Sequence, residues 1–217
     1  MAKLLNEDVS KQIKKALEPM QNNITMVLFT KEGECNTCEE TKQLLDEVKV
    51  LNDKISVDFK DLEKDADLAK DYQIDAVPTF VILDDKGKYK GVKFQGIPAG
   101  HEINSFLSAI VYMSGLDLGL DKKIIDRISK IDQPVDIKVF VTLSCPHCPG
   151  AVSTAHSLAM LNDNVQASMI ESQTFYDLSM KYKVSGVPKI IINDEFELLG
   201  NQPIDAFLTE IEKVSSK

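Results

Sequence analysis

The most constraining feature of this sequence is a pair of Cys-x-x-Cys motifs, each followed by a Val-Pro dipeptide at one fixed distance. The motifs are Cys35-Asn36-Thr37-Cys38 and Cys145-Pro146-His147-Cys148, and they contain all four cysteines of the chain. The dipeptides are Val77-Pro78 and Val187-Pro188. Every residue of the second set lies 110 residues after its counterpart in the first set. These matching offsets predict a duplicated unit with one dithiol site in each copy.

The length of the chain agrees with a duplication. A chain of 217 residues is long enough for two domains of about 100–110 residues, each of which buries its own core. The stretch 114–120 has two glycines and no strong periodicity, which is typical of a connection between domains. We therefore predict a first unit at 1–115, with Cys35 and Cys38, and a second unit at 116–217, with Cys145 and Cys148.

The hydrophobic pattern predicts the same order of elements in both copies. Apolar runs at 24–30 and 137–142 indicate buried strands that lead into the motifs. Apolar residues at helical spacing after Cys38 and Cys148 indicate helices that begin at the motifs. A strand, a short helix, the Val-Pro dipeptide, two strands and a closing helix follow in each copy. This order predicts an α/β fold, in which each unit has a central mixed sheet flanked by helices.

The sequence resembles the glutaredoxin-like protein disulfide oxidoreductase family, in which two fused thioredoxin-fold units each carry a Cys-x-x-Cys motif. The segments that carry the resemblance are Cys-Pro-His-Cys-Pro at 145–149, Gly-Val-Pro-Lys-Ile at 186–190 and Gly-Ile-Pro-Ala-Gly at 96–100. The resemblance covers essentially the whole chain. It implies two tandem thioredoxin-like folds and thiol–disulfide exchange on protein substrates by oxidation, reduction or isomerisation.

The same resemblance implies further properties of the sites and partners. The redox-active disulfides would be the only cofactors, and a thioredoxin reductase would be the electron donor. The peptide bonds Val77-Pro78 and Val187-Pro188 would be cis, would lie against the cysteine pairs and would present a backbone edge to bound substrate.

The roles of the cysteines follow from general chemistry. A thiolate attacks a disulfide, and the N-terminus of a helix lowers the pKa of a thiol there through its partial positive charge. Cys35 and Cys145 are therefore the predicted nucleophiles. Cys38 and Cys148 lie one helical turn deeper and are the predicted resolving thiols.

The residues around the two motifs predict unequal sites. Pro146 favours the first helical turn, and His147, when protonated, stabilises a thiolate at Cys145, so the second site should be the more oxidising and the principal one. Negative charge disfavours a thiolate at Cys35. The acidic residues near this first motif are Glu32, Glu34, Glu39 and Glu40.

Neither motif has the buried aspartate that thioredoxins carry six residues before the first cysteine. Phe29 and Val139 occupy those positions. Asp58 and Glu171 are candidates for the acid–base role, or else exposed carboxylates at strand ends. We expect no catalytic role for His101 or His156.

Composition narrows the class of protein and its compartment. The formal net charge is −9, and no basic stripe is present, which disfavours a general role on nucleic acids or anionic membranes. No apolar run approaches the roughly 18 residues of a membrane span, and the N-terminus lacks the apolar region of a signal peptide. With no cysteines outside the two pairs, we expect a soluble protein in a reducing cytoplasm.

Three alternatives to a general oxidoreductase remain. The tandem arrangement also resembles the N-terminal domain of the alkyl hydroperoxide reductase flavoprotein, an electron-transfer module for one peroxiredoxin, although no Gly-x-Gly-x-x-Gly fingerprint occurs in this chain. One structural Zn²⁺ could join the two pairs, but zinc ribbons place their pairs within about 15–20 residues of each other, so we predict no metal site. A redox-inert scaffold that binds peptides is the third alternative.

Overall fold

The computed structural model describes residues 3–33 and 35–214. The helices are α1 (Glu7–Ala16), α2 (Cys38–Lys49), α3 (Ala66–Asp71), α4 (Ile103–Met113), α5 (Lys122–Ile128), α6 (Cys148–Leu161), α7 (Tyr176–Lys181) and α8 (Ile204–Val214), with a single 3-10 turn at Gly100–Glu102 before α4. The strands are β1 (Ile24–Thr30), β2 (Ile55–Asp61), β3 (Thr79–Leu83), β4 (Tyr89–Gln95), β5 (Val135–Val141), β6 (Val165–Glu171), β7 (Lys189–Ile192) and β8 (Phe196–Leu199).

Both halves repeat one order of elements, as the sequence predicts. Each half begins with a helix and continues with a strand, the helix of the Cys-x-x-Cys motif, a second strand, a short helix, a hairpin and a closing helix. The opening helix α1 starts after Asn6, whose side-chain oxygen accepts a hydrogen bond of 2.9 Å from the Val9 N–H. This bond satisfies one of the free N–H groups at the helix start.

All eight strands lie in one sheet, in the order β2-β1-β3-β4-β6-β5-β7-β8. In each half the first two strands pair in parallel and the later strands pair antiparallel. The halves meet where β4 pairs in parallel with β6, from Val92 opposite Ala167 to Gln95 opposite Ile170. The predicted α/β class with mixed sheets is confirmed, and the sheet of each unit is one half of a continuous sheet.

The helices divide unequally between the two faces of this sheet. On one face, a single apolar core runs through both halves and includes residues of α1, α2, α4, α6 and α8. Phe94 of β4 and Phe106 of α4 are fully buried there, with ring centroids 5.7 Å apart in an edge-to-face arrangement. Burial of such a side chain contributes about 1.5–3 kcal/mol to folding. Because this core crosses the junction, it stabilises the pairing of the two halves.

The opposite face carries two smaller apolar clusters, one in each half. One contains Phe29 and Ala69 of α3, and the other contains Phe140 and Phe175, beside α7. The polar residues Lys93, Gln95 and Ser168 lie between them on the central strands. This face is therefore open at the junction of the halves.

The predicted boundary at residues 115 and 116 falls in the connection between α4 and α5. The sheet and the larger core continue across the halves that this connection joins. Among the helices of the described residues, none has both the length and the apolar character needed to cross a membrane.

Candidate active site

The first motif lies between β1 and α2. Because α2 begins at Cys38, Cys35 lies just ahead of the helix. The two cysteines form a disulfide with a Cα–Cα distance of 5.6 Å. Thr37 adopts a left-handed conformation with φ of 65°, and its carbonyl accepts bonds from the Thr41 hydroxyl at 2.6 Å and the Thr41 N–H at 2.9 Å. Cys38 is 5% exposed, whereas Cys35 is only partly buried, so Cys35 is the more accessible sulfur.

The second motif has the same arrangement at the start of α6. Cys145 and Cys148 form a disulfide with a Cα–Cα distance of 5.5 Å. Cys145 is 8% exposed and Cys148 is fully buried. In both motifs, the predicted nucleophile is therefore the more accessible cysteine.

Pro146 does not lie in the first turn of the helix, contrary to the prediction from the sequence. Helix α6 begins at Cys148, so Pro146 and His147 form the turn before the helix, and Pro149 is the proline of its first turn. Pro146 therefore shapes the turn between the two cysteines and is not a helical residue. The side chain of His147 is exposed, and its effect on the Cys145 thiolate stays a prediction.

Both Val-Pro peptide bonds are cis. Pro78 and Pro188 stand directly before β3 and β7. At the second site, the Cys145 sulfur lies 3.9 Å from the carbonyl oxygen of Val187. The Val187-Pro188 segment therefore lies against the second disulfide.

Acidic residues flank the first motif in the sequence, and none flanks the second. Glu32, Glu39 and Glu40 are exposed, and the latter two lie in the first turn of α2. Pro149 and Gly150 occupy the positions in the second unit that correspond to Glu39 and Glu40. Glu34 lies outside the described residues. Negative charge in the first turn of a helix competes with a thiolate for the same partial positive charge.

The acid–base candidates have other partners. Asp58 lies in the middle of β2, half exposed, in an ion pair of 3.0 Å with Lys60. This geometry favours the exposed-carboxylate interpretation for Asp58. Glu171 is buried, and its carboxylate accepts bonds from the backbone N–H of Gln173 at 3.1 Å and of Thr174 at 2.6 Å. Glu171 therefore holds the loop that follows β6.

Sequence reasoning missed a buried acid near the second motif. Glu102 is fully buried in the 3-10 turn that packs against α6, the helix that begins at Cys148. Burial raises the pKa of Glu102 to about 7, and the Ser105 hydroxyl donates to its carboxylate. A glutamate just before an apolar helix is typical of an exposed first turn, so nothing in the local pattern indicates its burial beneath the other half.

The two expected non-catalytic histidines join the halves in different ways. His156 of α6 is buried, with Nε2 3.2 Å from the Lys93 carbonyl of β4, and burial lowers its pKa to about 4. His101 is exposed, and its backbone N–H donates to the Leu143 carbonyl at 2.9 Å. The absence of a catalytic role stays a prediction for both side chains.

Each motif also contacts the opposite half of the chain. Thr37, inside the first motif, has its hydroxyl oxygen 3.5 Å from that of Thr174, in the loop after β6. Leu143, two residues before Cys145, is the residue against which Gly100 and His101 of the first half pack. Within residues 3–33 and 35–214, no group of three or more His, Cys, Asp or Glu side chains is placed to hold a metal ion.

Comparison with known proteins supports the fold in both halves. The thioredoxin domain family model matches residues 135–213. A protein disulfide oxidoreductase from Aeropyrum pernix has a TM-score of 0.89 and 26% identity, over 97% of this chain and 94% of that one. The present chain is therefore a tandem thioredoxin-fold protein. The expectation of two fused thioredoxin-fold units is confirmed.

The present chain, a tandem thioredoxin-fold protein, is also similar to part of a larger enzyme. The NTD_N/C domain of alkylhydroperoxide reductase AhpF from Enterococcus faecalis has a TM-score of 0.90 and 26% identity, over 95% of this chain and 99% of that one. The alkyl hydroperoxide reductase AhpF of Staphylococcus aureus is 30% identical over 208 residues, which are 96% of this chain and 38% of that protein. The chain therefore spans 38% of the length of this relative.

Proposed function

We propose that this protein is a protein thiol–disulfide oxidoreductase that acts through two Cys-x-x-Cys sites. The observation that carries the proposal is the repeated geometry of the sites. In each, a disulfide precedes a helix, the first cysteine is more accessible than the second, and a Val-Pro dipeptide stands directly before a strand.

The reaction is a two-electron exchange between dithiol and disulfide. In the reducing direction, the Cys145 thiolate attacks a sulfur of the substrate disulfide and releases one substrate thiol, which leaves a mixed disulfide. Cys148 then loses its proton and attacks Cys145, which releases the second substrate thiol and forms the Cys145–Cys148 disulfide. The reverse sequence oxidises a substrate dithiol, and Cys35 with Cys38 performs the same steps at the first site.

We assign the principal role to the second site, because His147 favours its thiolate and no acid occupies the positions of Glu39 and Glu40 there. The proposed substrates are proteins with thiols or disulfides, and the proposed electron donor is a thioredoxin reductase. Beyond the two redox-active disulfides, the reaction requires no cofactor. A protein that donates electrons by this chemistry must hold its cysteines as free thiols. A reducing cytoplasm keeps cysteines in that form, so we propose this location.

A narrower candidate function is transfer of electrons to one peroxiredoxin. The observation that favours it is the similarity to the alkyl hydroperoxide reductase AhpF, whose N-terminal domain this chain matches over nearly its whole length. Rapid mixing of the fully reduced protein with an oxidised peroxiredoxin would test this function. Complete transfer to the peroxiredoxin together with negligible reduction of insulin would favour the narrower candidate.

Insulin reduction by dithiothreitol tests the main proposal, with wild type, Cys35→Ser and Cys145→Ser compared after metal removal. We expect Cys145→Ser to abolish most of the turnover and Cys35→Ser to retain much of it. An inactive wild type that releases zinc on thiol modification would replace the proposal with the metal-site alternative. An inactive wild type without zinc would favour the redox-inert scaffold.

A further inference from the structure

The first site opens onto a groove whose walls come from both units. The groove has a volume of about 520 Å³. Its lining consists of residues 36, 75–77 and 95 from the first unit and residues 173–178 from the second. Asn36 lies inside the Cys35–Cys38 motif, and Val77 directly precedes Pro78, so the groove begins beside the first motif.

The wall from the second unit is held in place by several contacts. The carboxylate of Glu171 accepts two backbone hydrogen bonds from the loop at Gln173 and Thr174. Phe175 is buried in the apolar cluster beside α7, and Thr174 contacts Thr37 of the motif. A wall fixed in this way adds no ordering cost when a ligand binds.

The floor of the groove contains a polar side chain that lacks a partner. Gln95 is only 8% exposed and lines the groove, and its carboxamide makes no hydrogen bond to any other residue in 3–33 or 35–214. The carboxamide can donate hydrogen bonds to the peptide groups of a ligand and accept hydrogen bonds from them. In the hairpin of the second unit, Leu199 is the residue before the corresponding glycine, so this amide is specific to the first site.

Two other features of the groove suit an extended peptide. Tyr176 lines the groove and is 62% exposed, and tyrosine is enriched where proteins bind one another. The backbone N–H and C=O of Val77 form no hydrogen bonds with the rest of the described chain. They leave an edge to which a peptide can add as a strand.

The lining of the groove is acidic. Asp75 and Asp177 line it, and none of its described lining residues is basic. Glu39 and Glu40 are exposed in the adjoining first turn of α2. At the second site, Ser185 corresponds to Asp75. The two sites therefore differ in charge.

Beyond Gln95 the groove continues into a second cavity of about 330 Å³, where charges balance. Three lysines and three aspartates line that cavity, namely Lys93, Lys138, Lys181, Asp75, Asp136 and Asp194. Asp75 lines both cavities, whereas Asp177 lines only the groove.

We propose that this groove binds extended segments of substrate proteins in which lysine or arginine flanks the reacting cysteine. Asp75 and Asp177 select the charge, and Gln95 and Tyr176 hold the peptide backbone and side chains against both units. The inference rests on the proposed function and assigns to the first site a substrate class that the second site does not select.

The test uses the full chain with Cys145→Ser and Cys148→Ser, so that only the first site reacts. The reduced protein is mixed with two peptide disulfides that are identical except for lysine or glutamate on both sides of the cysteine. In each reaction the Cys35–Cys38 disulfide forms, the peptide disulfide breaks, and two peptide thiols are released. The second-order rate constant at low ionic strength is the readout.

We expect the lysine peptide to react about tenfold faster than the glutamate peptide, because opposite charge accelerates association. Asp75→Asn combined with Asp177→Asn should reduce the ratio to about twofold, and 0.5 M salt should do the same by screening. Gln95→Leu and Tyr176→Ala should slow both peptides without changing the ratio. Asp53→Asn with Asp67→Asn is the matched control, because it removes two exposed charges outside the groove lining.

Several outcomes would overturn the proposal. One is an equal rate for both peptides, and another is a ratio that the control changes as much as the groove variant does. A third is the same preference in the protein with Cys35→Ser and Cys38→Ser, which reacts only through the second site. Reaction with the uncharged hydroxyethyl disulfide distinguishes failure of the groove proposal from failure of the proposed function. If it reacts while both peptides do not, only the groove is wrong, and if nothing reacts, the proposed function of this site fails as well.

Discussion

The hydroxyl oxygens of Thr37 and Thr174 lie 3.5 Å apart, although 137 residues separate them in the chain. This contact joins the first Cys-x-x-Cys motif to the loop after β6 in the other unit. The reciprocal contact joins the His101 N–H to the Leu143 carbonyl, two residues before Cys145. Each redox site is therefore supported by the unit that does not carry it.

This mutual support predicts that the units depend on each other for folding. A chain that ends at residue 115 exposes the edge of β4 and the apolar face of α4, and a chain that starts at 116 exposes β6 and α6. Exposed edges and apolar faces promote aggregation. We expect neither half alone to unfold cooperatively, and we expect the two halves expressed together to form one complex. Thermal circular dichroism and size-exclusion chromatography measure both outcomes.

Proteolytic cleavage within 116–120 provides the control for that experiment. The cut chain keeps the β4–β6 pairing and the shared core, so it should elute and unfold like the intact protein. A monomeric first half with a sharp unfolding transition would show that the units are independent domains.

The second prediction concerns the reduction potentials of the two sites. A cation beside a thiolate stabilises the reduced form, so His147→Ser should lower the potential of the Cys145–Cys148 pair. One charge at a helix terminus contributes about 0.3–1 kcal/mol, which corresponds to about 5–20 mV for this two-electron couple. Glu39→Gln with Glu40→Gln should raise the potential of the first pair by about 10–40 mV. Equilibration with glutathione buffers, with the other site replaced by serines, measures each value.

In the wild type, the second pair should have the higher potential. A higher potential for Cys35–Cys38 would contradict the electrostatic ordering. Glu18 is an exposed acid on the chain after α1. If Glu18→Gln shifts the potential of the first pair as much as the glutamates of α2 do, the effect comes from net charge and not from the helix start.

The repeated pattern of the sequence was sufficient to predict the elements, because each copy has the same apolar spacing around its motif and its Val-Pro dipeptide. It could not predict the pairing of β4 with β6. Val92 and Phe94 would face a core equally well in two separate sheets. The burial of Glu102 and the groove beside Cys35 depend on that pairing, so the sequence could not predict them either. Local rules also placed Pro146 in the helix, whereas the turn between the cysteines delays the helix until Cys148.

The third prediction is a pH dependence of stability that arises from Glu102. Its pKa in the folded protein is about 7, above the value of 4.5 for a free glutamate. The folded state therefore binds more protons than the unfolded state between these values, and stability falls as the pH rises from about 4.5 to about 7. The total loss is up to about 3 kcal/mol. Glu102→Gln keeps an oxygen for the Ser105 hydroxyl and should lack this loss, so its advantage over wild type should grow through this range.

His156 acts in the opposite direction, which makes the comparison with Glu102→Gln necessary. Burial lowers its pKa from 6.5 to about 4, so its contribution is complete above pH 6.5 and is lost as the pH falls toward 4. The free energy of unfolding of the wild type therefore depends on pH through two opposing contributions. The difference in this free energy between wild type and Glu102→Gln isolates the contribution of Glu102. Urea unfolding at pH 5, 6, 7 and 8 provides the data, and a difference that stays constant with pH would refute the assignment to Glu102.

The last prediction concerns Gly100, where the first unit approaches the second motif. Gly100 has φ of +58°, and an added Cβ would lie 2.3 Å from the Leu143 carbonyl oxygen. Gly87 has φ of +73° in a hairpin turn, with no atom within 4 Å of its added Cβ. Both alanine variants lose about 1–2 kcal/mol from the left-handed backbone, and only Gly100→Ala must also displace the segment before Cys145. We expect Gly100→Ala to cost at least about 2 kcal/mol more than Gly87→Ala in urea unfolding. It should slow exchange at Cys145 while the rate at Cys35 stays within about twofold, since the displaced Leu143 precedes only the second motif. Equal losses of stability in the two variants, or equal slowing at the two cysteines, would mean that this contact does not position the second site.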